Sequence, residues 1–461
     1  TEFVIHDGTL RWSDEQRTAP PLALTQVDFV LRNKVLGHAA RIDATPPAQW
    51  GDRFHLVALF RQPLLSRHSG QWQQWVGQVY ADFARVDVAQ LHTYVDLPDV
   101  TVQQGNGALR AWVDVSRGQF GGATLDVALA EVAATLGPQL QPLALQSVVG
   151  RLGGRLLASG FEFSTRGLQF STPDGLRWPG GNVEMTYTQA EGRTPAQGQV
   201  RADKLDLAAL TRIADRIPLS PAAHAALTAY APTGLVEQVQ GSWHGPLAAP
   251  INFSARGRVT QLEIAAQPAA ALPGPSLHVA VGRPGVRGAT VDFNLTQSGG
   301  TATVAMQAGA LTLPGIFEDP VLPLDQLAAD VRWQVNGTQI AAQLTNVTFA
   351  NADAQGALQL NWKTSDPALS PSHSRFPGVL DLQGSLAQAQ AARVYRYLPL
   401  ELPATVRDYV RDAVSAGSAS TVKFVVKGDL DDIPFTDPKK GEFHIAANLQ
   451  NTTFAFVPRR L

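Results

Sequence analysis

Three carboxylates fall within four residues of the stretch KFVVKGDLDDIPF at residues 423–435: Asp429, Asp431 and Asp432. Carboxylates this close on one loop supply the oxygen ligands that a hard cation takes. They are equally what a turn uses, because Asp accepts hydrogen bonds from its own backbone and tolerates unusual dihedrals. A second segment separates the two readings. Gly428-Asp429-Leu430-Asp431-Asp432-Ile433-Pro434 matches Gly245-Pro246-Leu247-Ala248-Ala249-Pro250, where every acid is replaced by Pro or Ala while Gly, Leu and Pro persist. What recurs is turn geometry. A calcium site confined to the later segment is the alternative, but the loop of alternating oxygen ligands that an EF-hand needs is missing.

Other chemistry finds no footing. The sequence holds no HExxH, no GxSxG elbow and no GxxxxGK[ST] loop. Its ten histidines are scattered without a partner at metal-ligand spacing, and His278 and His444 read as polar-face residues of strands. Gly105-Asn106-Gly107 lacks the third Gly and the following helix of a dinucleotide loop and reads as a turn. Trp72 and Trp75 have the rings to stack on a sugar, and equally to pack at a sheet edge. Paired carboxylates for glycoside hydrolysis are a matter of spatial separation, and solvated faces and turns account for the acids present. We assign no catalytic residue and no metal ligand, and expect a protein that is not an enzyme.

Lys+Arg is 37 against Asp+Glu 39, with no basic run beyond the pairs Lys439-Lys440 and Arg459-Arg460, so nucleic acid is set aside as a partner. Cysteine is absent, which removes disulfides, thiolate metal sites and thiol nucleophiles and suits an oxidising compartment. The chain opens at Thr1 with neither Met nor a signal segment, and no apolar run approaches the roughly 20 residues that span a bilayer. It reads as a fragment of a longer protein.

What must position any site is a series of strands. In ATVDFNLTQSGGTATVAMQA, Val291, Phe293 and Leu295 share one face, as do Ala302, Val304 and Met306 beyond a Ser-Gly-Gly turn; that turn sets Phe293 opposite Val304 and Val291 opposite Met306. In DVRWQVNGTQIAAQL, Asn336-Gly337 is the centre of a two-residue type I′ hairpin, which sets Trp333 opposite Ile340 and Val331 opposite Ala342. Leu358, Leu360 and Trp362 alternate with polar partners, and Leu109, Ala111, Val113 and Val115 meet Leu125, Val127 and Leu129 across a Gly-rich turn. The pattern is a long antiparallel meander, apolar on one side and polar on the other. Roughly 25 to 30 strands at about 4.8 Å each are expected.

Helices are few. One is expected over 403–416, with Pro403 near its first turn and Gly417 to end it; another over 220–233, with Ser220 as N-cap. The two align as an internal repeat, LTRIADRIPLSPAAHAALTAYAPTG with ARVYRYLPLELPATVRDYVRDAVSAG, and FARVDVAQLHTYVDLP at 83–98 is a weaker third start. Four segments follow: N-terminal strands at 1–82, repeat-like units at 83–200 and 201–380, and the start of a third at 381–461. Two short helices cannot cover such a sheet, so its apolar face pairs with a second sheet, closes on itself or carries something apolar. Patterning alone ranks a β-sandwich or barrel first.

A resemblance reverses that ranking. The segment YRYLPLELPATVRDYVRDAVSAGSASTVKFVVKGDLDDIPFTDPKKGEFHIAANLQNTTFAFVP at 395–458, and WQQWVGQVYADFARVDVAQLHTYVDLP at 72–98, resemble the central periplasmic region of the YhdP family of AsmA-like bacterial proteins. The resemblance implies a mainly β fold, a long twisted antiparallel β-sheet curled into a groove with a few short helices. It implies a bridge-like lipid-transfer protein, anchored in the inner membrane of a Gram-negative bacterium by a segment outside this chain, conducting phospholipid across the periplasm to the outer membrane. It implies no cofactor. The apolar face then lines the groove: Leu109, Val113, Val115, Leu125, Val127 and Leu129; Val291, Phe293, Leu295, Val304 and Met306; Val331, Trp333, Ile340 and Leu344; Leu358, Leu360 and Trp362; and Val422, Phe424 and Val426. The competing function is a periplasmic scaffold or assembly factor for outer-membrane or envelope components, capturing partner strands at the sheet edges.

Overall fold

The structure, a computed structural model, describes residues 2–13, 20–35, 37–62, 74–94, 99–268 and 281–457; Trp72 and His278 lie outside them. Strand accounts for 64% of the chain and helix for 11%, so helices cannot cover the sheet. Two compact units divide it, residues 1–229 with 238–252, and residues 230–237 with 253–461.

In the first unit the strands are β1 Glu2–Trp12, β2 Leu22–Asn33, β3 Gly37–Thr45, β4 Phe54–Arg61 and β5 Val76–Asp87; after the helical turn α1 Val88–His92 come β6 Thr101–Ser116, β7 Gln119–Thr135, β8 Leu143–Leu157, β9 Gly160–Ser171, the short β10 Arg177–Trp178, β11 Val183–Thr188 and β12 Gln197–Asp206. Helices α2 Leu207–Ile213 and α3 Pro221–Tyr230 lead into β13 Thr233–His244. The second unit carries β14 Asn252–Ile264, β15 Gly285–Thr296, β16 Gly299–Thr312, β17 Val321–Asn336, β18 Gln339–Ala350, β19 Ala354–Lys363 and β20 Val379–Gln390, then α4 Ala404–Ala413, β21 Val414–Asp429 and β22 Gly441–Phe454. Among the described residues the paired strands run antiparallel, chain neighbour against chain neighbour, and β11 also pairs with β9. Among the described residues β1 pairs with β2 alone and β22 with β21 alone, so the meander is open and not a closed barrel.

The described strands number 22, fewer than the 25 to 30 expected, because they are long: β7 has 17 residues, against a usual strand of about 5–6. Long strands stay in one sheet only if they bend, and bulges bend them. Gln261, Gly288, Ala308, Asn346 and Thr421 have positive φ inside β14, β15, β16, β18 and β21, and the registers shift beside four of them, between Val259 and Leu262, Arg287 and Ala289, Leu344 and Val347, and Ser420 and Lys423. The sheet creases along this line toward its apolar side, where Ala289, Met306 and Leu324 form a buried cluster joined by Val304 before the crease and Leu311 beyond it. Gly105 and Gly107 form no turn, contrary to the sequence reading: both lie inside β6 with φ +148° and +147°. A Cβ at Gly107 would fall 2.2 Å from the Ala128 carbonyl oxygen, and one at Gly105 2.9 Å from Val88 of α1, so these glycines let neighbouring backbone and helix approach.

Two hairpin registers differ from expectation by two residues. Val291 faces Val304 and Phe293 faces Ala302, because the loop is Gln297-Ser298 and Gly299 already pairs with Thr296. Trp333 faces Ala342 and Val335 faces Ile340: Asn336 pairs with Gln339, leaving Gly337-Thr338 as the loop. Gly337 has φ +59° while Thr338 is not among the positive-φ residues, which is the pattern of a type II′ turn with Gly in its first central position. A shift of two keeps every side chain on its face. Helix α4 ends at Ala413, not at Gly417, because the β-branched Val414 is extended and already pairs with Phe454. The repeat has a structural counterpart. Asp87, Asp206 and Gln390 each end a strand and cap a short helical segment with φ/ψ of −82°/108°, −84°/112° and −84°/112°.

Candidate functional site: the apolar face

Register makes the face continuous. In the second unit one row of mutually paired residues crosses nine strands: Gly257, Phe293, Ala302, Val331, Leu344, Leu360, Leu382, Val426 and Phe443. The row beside it, one residue along each strand, is polar throughout: Arg256, Asn294, Thr301, Arg332, Gln343, Asn361, Asp381, Lys427 and Glu442. Because successive side chains point to opposite faces, the two rows lie on opposite sides of the sheet. At about 4.8 Å per strand, eight steps make an unbroken apolar path of roughly 38 Å. Exposure follows the alternation: β19 reads half-buried, exposed, half-buried along its whole length.

Two residues further along, the row Leu295, Gly300, Trp333, Ala342, Trp362 sets each indole against small neighbours. A Cβ at Gly300 would fall 2.6 Å from the Trp333 ring, and one at Gly384 2.3 Å from the Phe424 ring. Aromatic side chains thus cover backbone that glycine leaves bare across the strand. Trp362 donates its indole N–H to the Pro377 carbonyl oxygen at 2.9 Å and stacks with Phe376.

The first unit repeats the arrangement. Ile5, Phe29, Ile42, Leu56, Ala81, Ala111, Leu125, Leu152, Thr165, Val183 and Ala202 are paired in series across eleven strands. Its one polar member, Thr165, is buried, and its hydroxyl accepts the Val183 N–H at 3.1 Å. The adjacent row is wholly titratable: Asp28, Asp43, His55, Asp82, Arg110, Asp126, Arg151 and Arg166. It neutralises itself. Arg53 meets Asp28 and Arg41 meets Asp43, both at 2.7 Å; Asp82 lies 3.7 Å from His55 and 3.4 Å from Arg110; Arg151 meets Asp126 at 2.5 Å and Arg166 meets Glu184 at 2.7 Å. The guanidinium hydrogen bonds of Arg41 and Arg151 hold Asp43 and Asp126 below the ordinary carboxylate range, and hydrogen bonds from His6 and the Asp7 N–H do the same for Asp28.

Within each unit the residues assigned to the groove lining share the apolar face, and none is exposed. Four of them are packed inside side-chain clusters or fully buried: Leu109, Val127, Met306 and Val422. The open surface is left to the half-buried others. Sequence reasoning passed over Leu380, Leu382 and Phe443, whose alternation in VLDLQGS and GEFHIAA carries the signal. It also passed over Phe29, Ile42 and Leu56. FHLVALFR is apolar on both faces, so its parity hides which residues belong to the row.

The three aspartates are occupied by local structure. Asp429 accepts the Asp431 N–H at 3.1 Å, buried Asp431 accepts from the Ser370 hydroxyl at 2.7 Å and the Ser372 N–H at 2.6 Å, and Asp432 meets Lys440 at 2.9 Å. Among the described residues no group of three His, Asp or Glu side chains is placed to hold a metal. Trp75 stacks on His38, with ring centroids 3.8 Å apart and planes within 7°, so its ring is taken up by packing.

Helices α1 and α2 cover part of the apolar face in the first unit. Val88 and Leu91 of α1 join the cluster of Val86, Leu109, Val127 and Val148, and Ala209 and Ile213 of α2 join Leu143, Leu176 and Trp178.

Compared with known proteins, residues 1–459 match a family model described as YhdP protein. Neither a curated protein nor a solved structure matches the chain.

Proposed function

The chain belongs to the YhdP family, and we propose on that premise that it is a non-enzymatic, bridge-like lipid-transfer protein whose apolar face conducts phospholipid. The observation that carries this reading is the pair of rows in the second unit, nine positions apolar and the nine beside them polar. Acyl chains leave water at about 0.8 kcal/mol per CH₂ buried, so a tail gains wherever such a row is accessible. Neighbouring positions along the row are chemically alike. A lipid stepping from Val331 to Leu344 to Leu360 therefore exchanges one aliphatic contact for another, while its headgroup keeps to water at the open side. Movement needs no bond making or breaking, which is why a protein without a catalytic constellation suffices. The same reading places the chain in the periplasm of a Gram-negative bacterium, anchored to the inner membrane by a segment of the longer protein and delivering to the outer membrane.

Photocrosslinking tests it. A photoreactive residue is placed in turn at Phe293, Val304 and Trp333, and at the alternate positions Asn294, Ala305 and Gln334, and phospholipid adducts are sought in cells. Adducts at the first three alone are expected. Adducts at neither set in a folded protein would sink the conduit and favour a scaffold whose apolar face is covered by protein.

A further inference from the structure

The polar side of the second unit departs from that of the first in one place. The chain has seven lysines, and four of them, Lys363, Lys427, Lys439 and Lys440, line a single cavity of about 650 Å³ together with Arg332. Asp381 takes Lys427 at 3.2 Å and Asp432 takes Lys440 at 2.9 Å. Glu442 is the one remaining carboxylate on the lining, set against Arg332, Lys363 and Lys439, for whose side chains no acceptor lies close among the described residues. Two positive charges are left in excess. In the first unit each arginine of the corresponding row, Arg110, Arg151 and Arg166, meets a carboxylate on a neighbouring strand. Here Arg332 faces Gln343 and Thr301, and Lys363 faces Ala341 and Val379, so no carboxylate stands opposite either cation, and Gln343 and Asn361 add neutral amide donors to the lining.

We propose that this cavity binds a phosphate group. Its volume suits a small headgroup, Lys presents a compact point charge that phosphate takes, and two excess charges match a phosphate monoester and more than offset the single charge of a phosphodiester. Position supplies the context. Lys363 is the last residue of β19, and Trp333 and Trp362 stand on the cavity's lining beside the lysines and Arg332. The phosphate is carried by a lipid whose tails lie against Trp333 and Trp362, or it is a soluble phosphate. The lipid source rests on the conduit reading above, whereas the anion site does not.

The experiment titrates the purified, delipidated chain by calorimetry with three probes: inorganic phosphate, dihexanoylphosphatidylglycerol and dihexanoylglycerol. Parent is compared with the double variant Lys363→Gln/Lys439→Gln, whose exposed side chains leave the fold unchanged by circular dichroism, and with Leu360→Asp. Removing two of the charges weakens the phosphatidylglycerol by about tenfold, as the loss of charge-assisted contacts requires, and leaves dihexanoylglycerol unaffected. A lipid source adds that Leu360→Asp weakens both glycerolipids and that inorganic phosphate binds far more weakly than the phospholipid. Equal affinity for inorganic phosphate and phospholipid, indifferent to Leu360→Asp, assigns the cavity to soluble phosphate. Binding of phosphate without any binding of dihexanoylglycerol keeps the anion site and removes the conduit. Unchanged phosphatidylglycerol affinity in the double variant, or no phosphate binding by the parent, overturns the proposal.

Discussion

Phe424 on β21 occupies the space that a side chain on Gly384 of β20 would need: the two are directly paired, and a Cβ at Gly384 would lie 2.3 Å from the ring's Cζ. The glycine has an ordinary extended backbone, so the constraint is packing alone. Gly384→Val should destabilise the second unit by about 1–3 kcal/mol through overpacking. In the Phe424→Ala background the same substitution should cost less than half as much, read as a double-mutant cycle in urea. Additive costs would show that the ring moves aside freely.

The central row should be intolerant of charge for function but not for folding. Leu344→Asp is expected to abolish phospholipid transfer between donor and acceptor vesicles, while Thr345→Asp, one residue away on the other face and off the lysine cavity, retains at least half of it. Both carboxylates reach water, since Leu344 is only half-buried. Equal transfer by the two variants would remove the apolar row from the path.

A buried ion pair braces the end of the second unit. Asp353, after β18, accepts from Arg396 at 2.7 Å and from the Tyr397 hydroxyl at 3.0 Å, and Arg396 also reaches Asp319 at 2.7 Å. Glu318 meets Arg411 of α4 and, at 3.4 Å, Arg407. The segment before α4 is thereby tied to the β16–β17 connection. Asp353→Ala leaves the half-buried Tyr397 hydroxyl without its acceptor and Arg396 with Asp319 alone, and should cost about 1–3 kcal/mol, measured by denaturant unfolding. Burial pushes the Tyr397 hydroxyl above its ordinary pKa, so it stays a donor well past neutral pH.

Acid should loosen the first unit before the second. Asp28, Asp43 and Asp126 have carboxyls held below the usual range, so the stability they contribute is present above the unfolded carboxylate pKa and is lost as pH falls through their lower folded values. All three are exposed or partly so, which keeps each contribution small. Melting followed by hydrogen exchange between pH 7 and 3 should show protection fading first in β2, β3 and β7. Asp126→Asn should flatten the dependence in β7 alone.

Alternation made the apolar face legible because the side-chain period of a strand is two: Val291, Phe293 and Leu295, or Leu358, Leu360 and Trp362, declare it without help. Registers were less legible. The Gln297-Ser298 loop competes with a turn one residue later and the Gly337-Thr338 loop with one a residue earlier, each satisfying the same faces, and only the pairing of Gly299 and Gln339 chooses. Creases were nearly invisible. Gln261, Ala308 and Thr421 adopt positive φ without being Gly or Asn, and Gly105 and Gly107, which announce backbone freedom, were spent on a bulge and not a turn. The lysine cavity was legible only as the pairs and singles Lys363, Lys427 and Lys439-Lys440, because the strands that gather them lie up to 77 residues apart in sequence.

Since each strand contributes one residue to every row, the hairpin is a unit of length. Excising two consecutive strands would leave the neighbours antiparallel, keep apolar beside apolar, and shorten the path by about 10 Å. Removing one strand would reverse the direction of everything after it. A lineage can therefore lengthen or trim such a sheet by duplicating or losing hairpins, and the alternation of apolar and polar rows is copied with each of them.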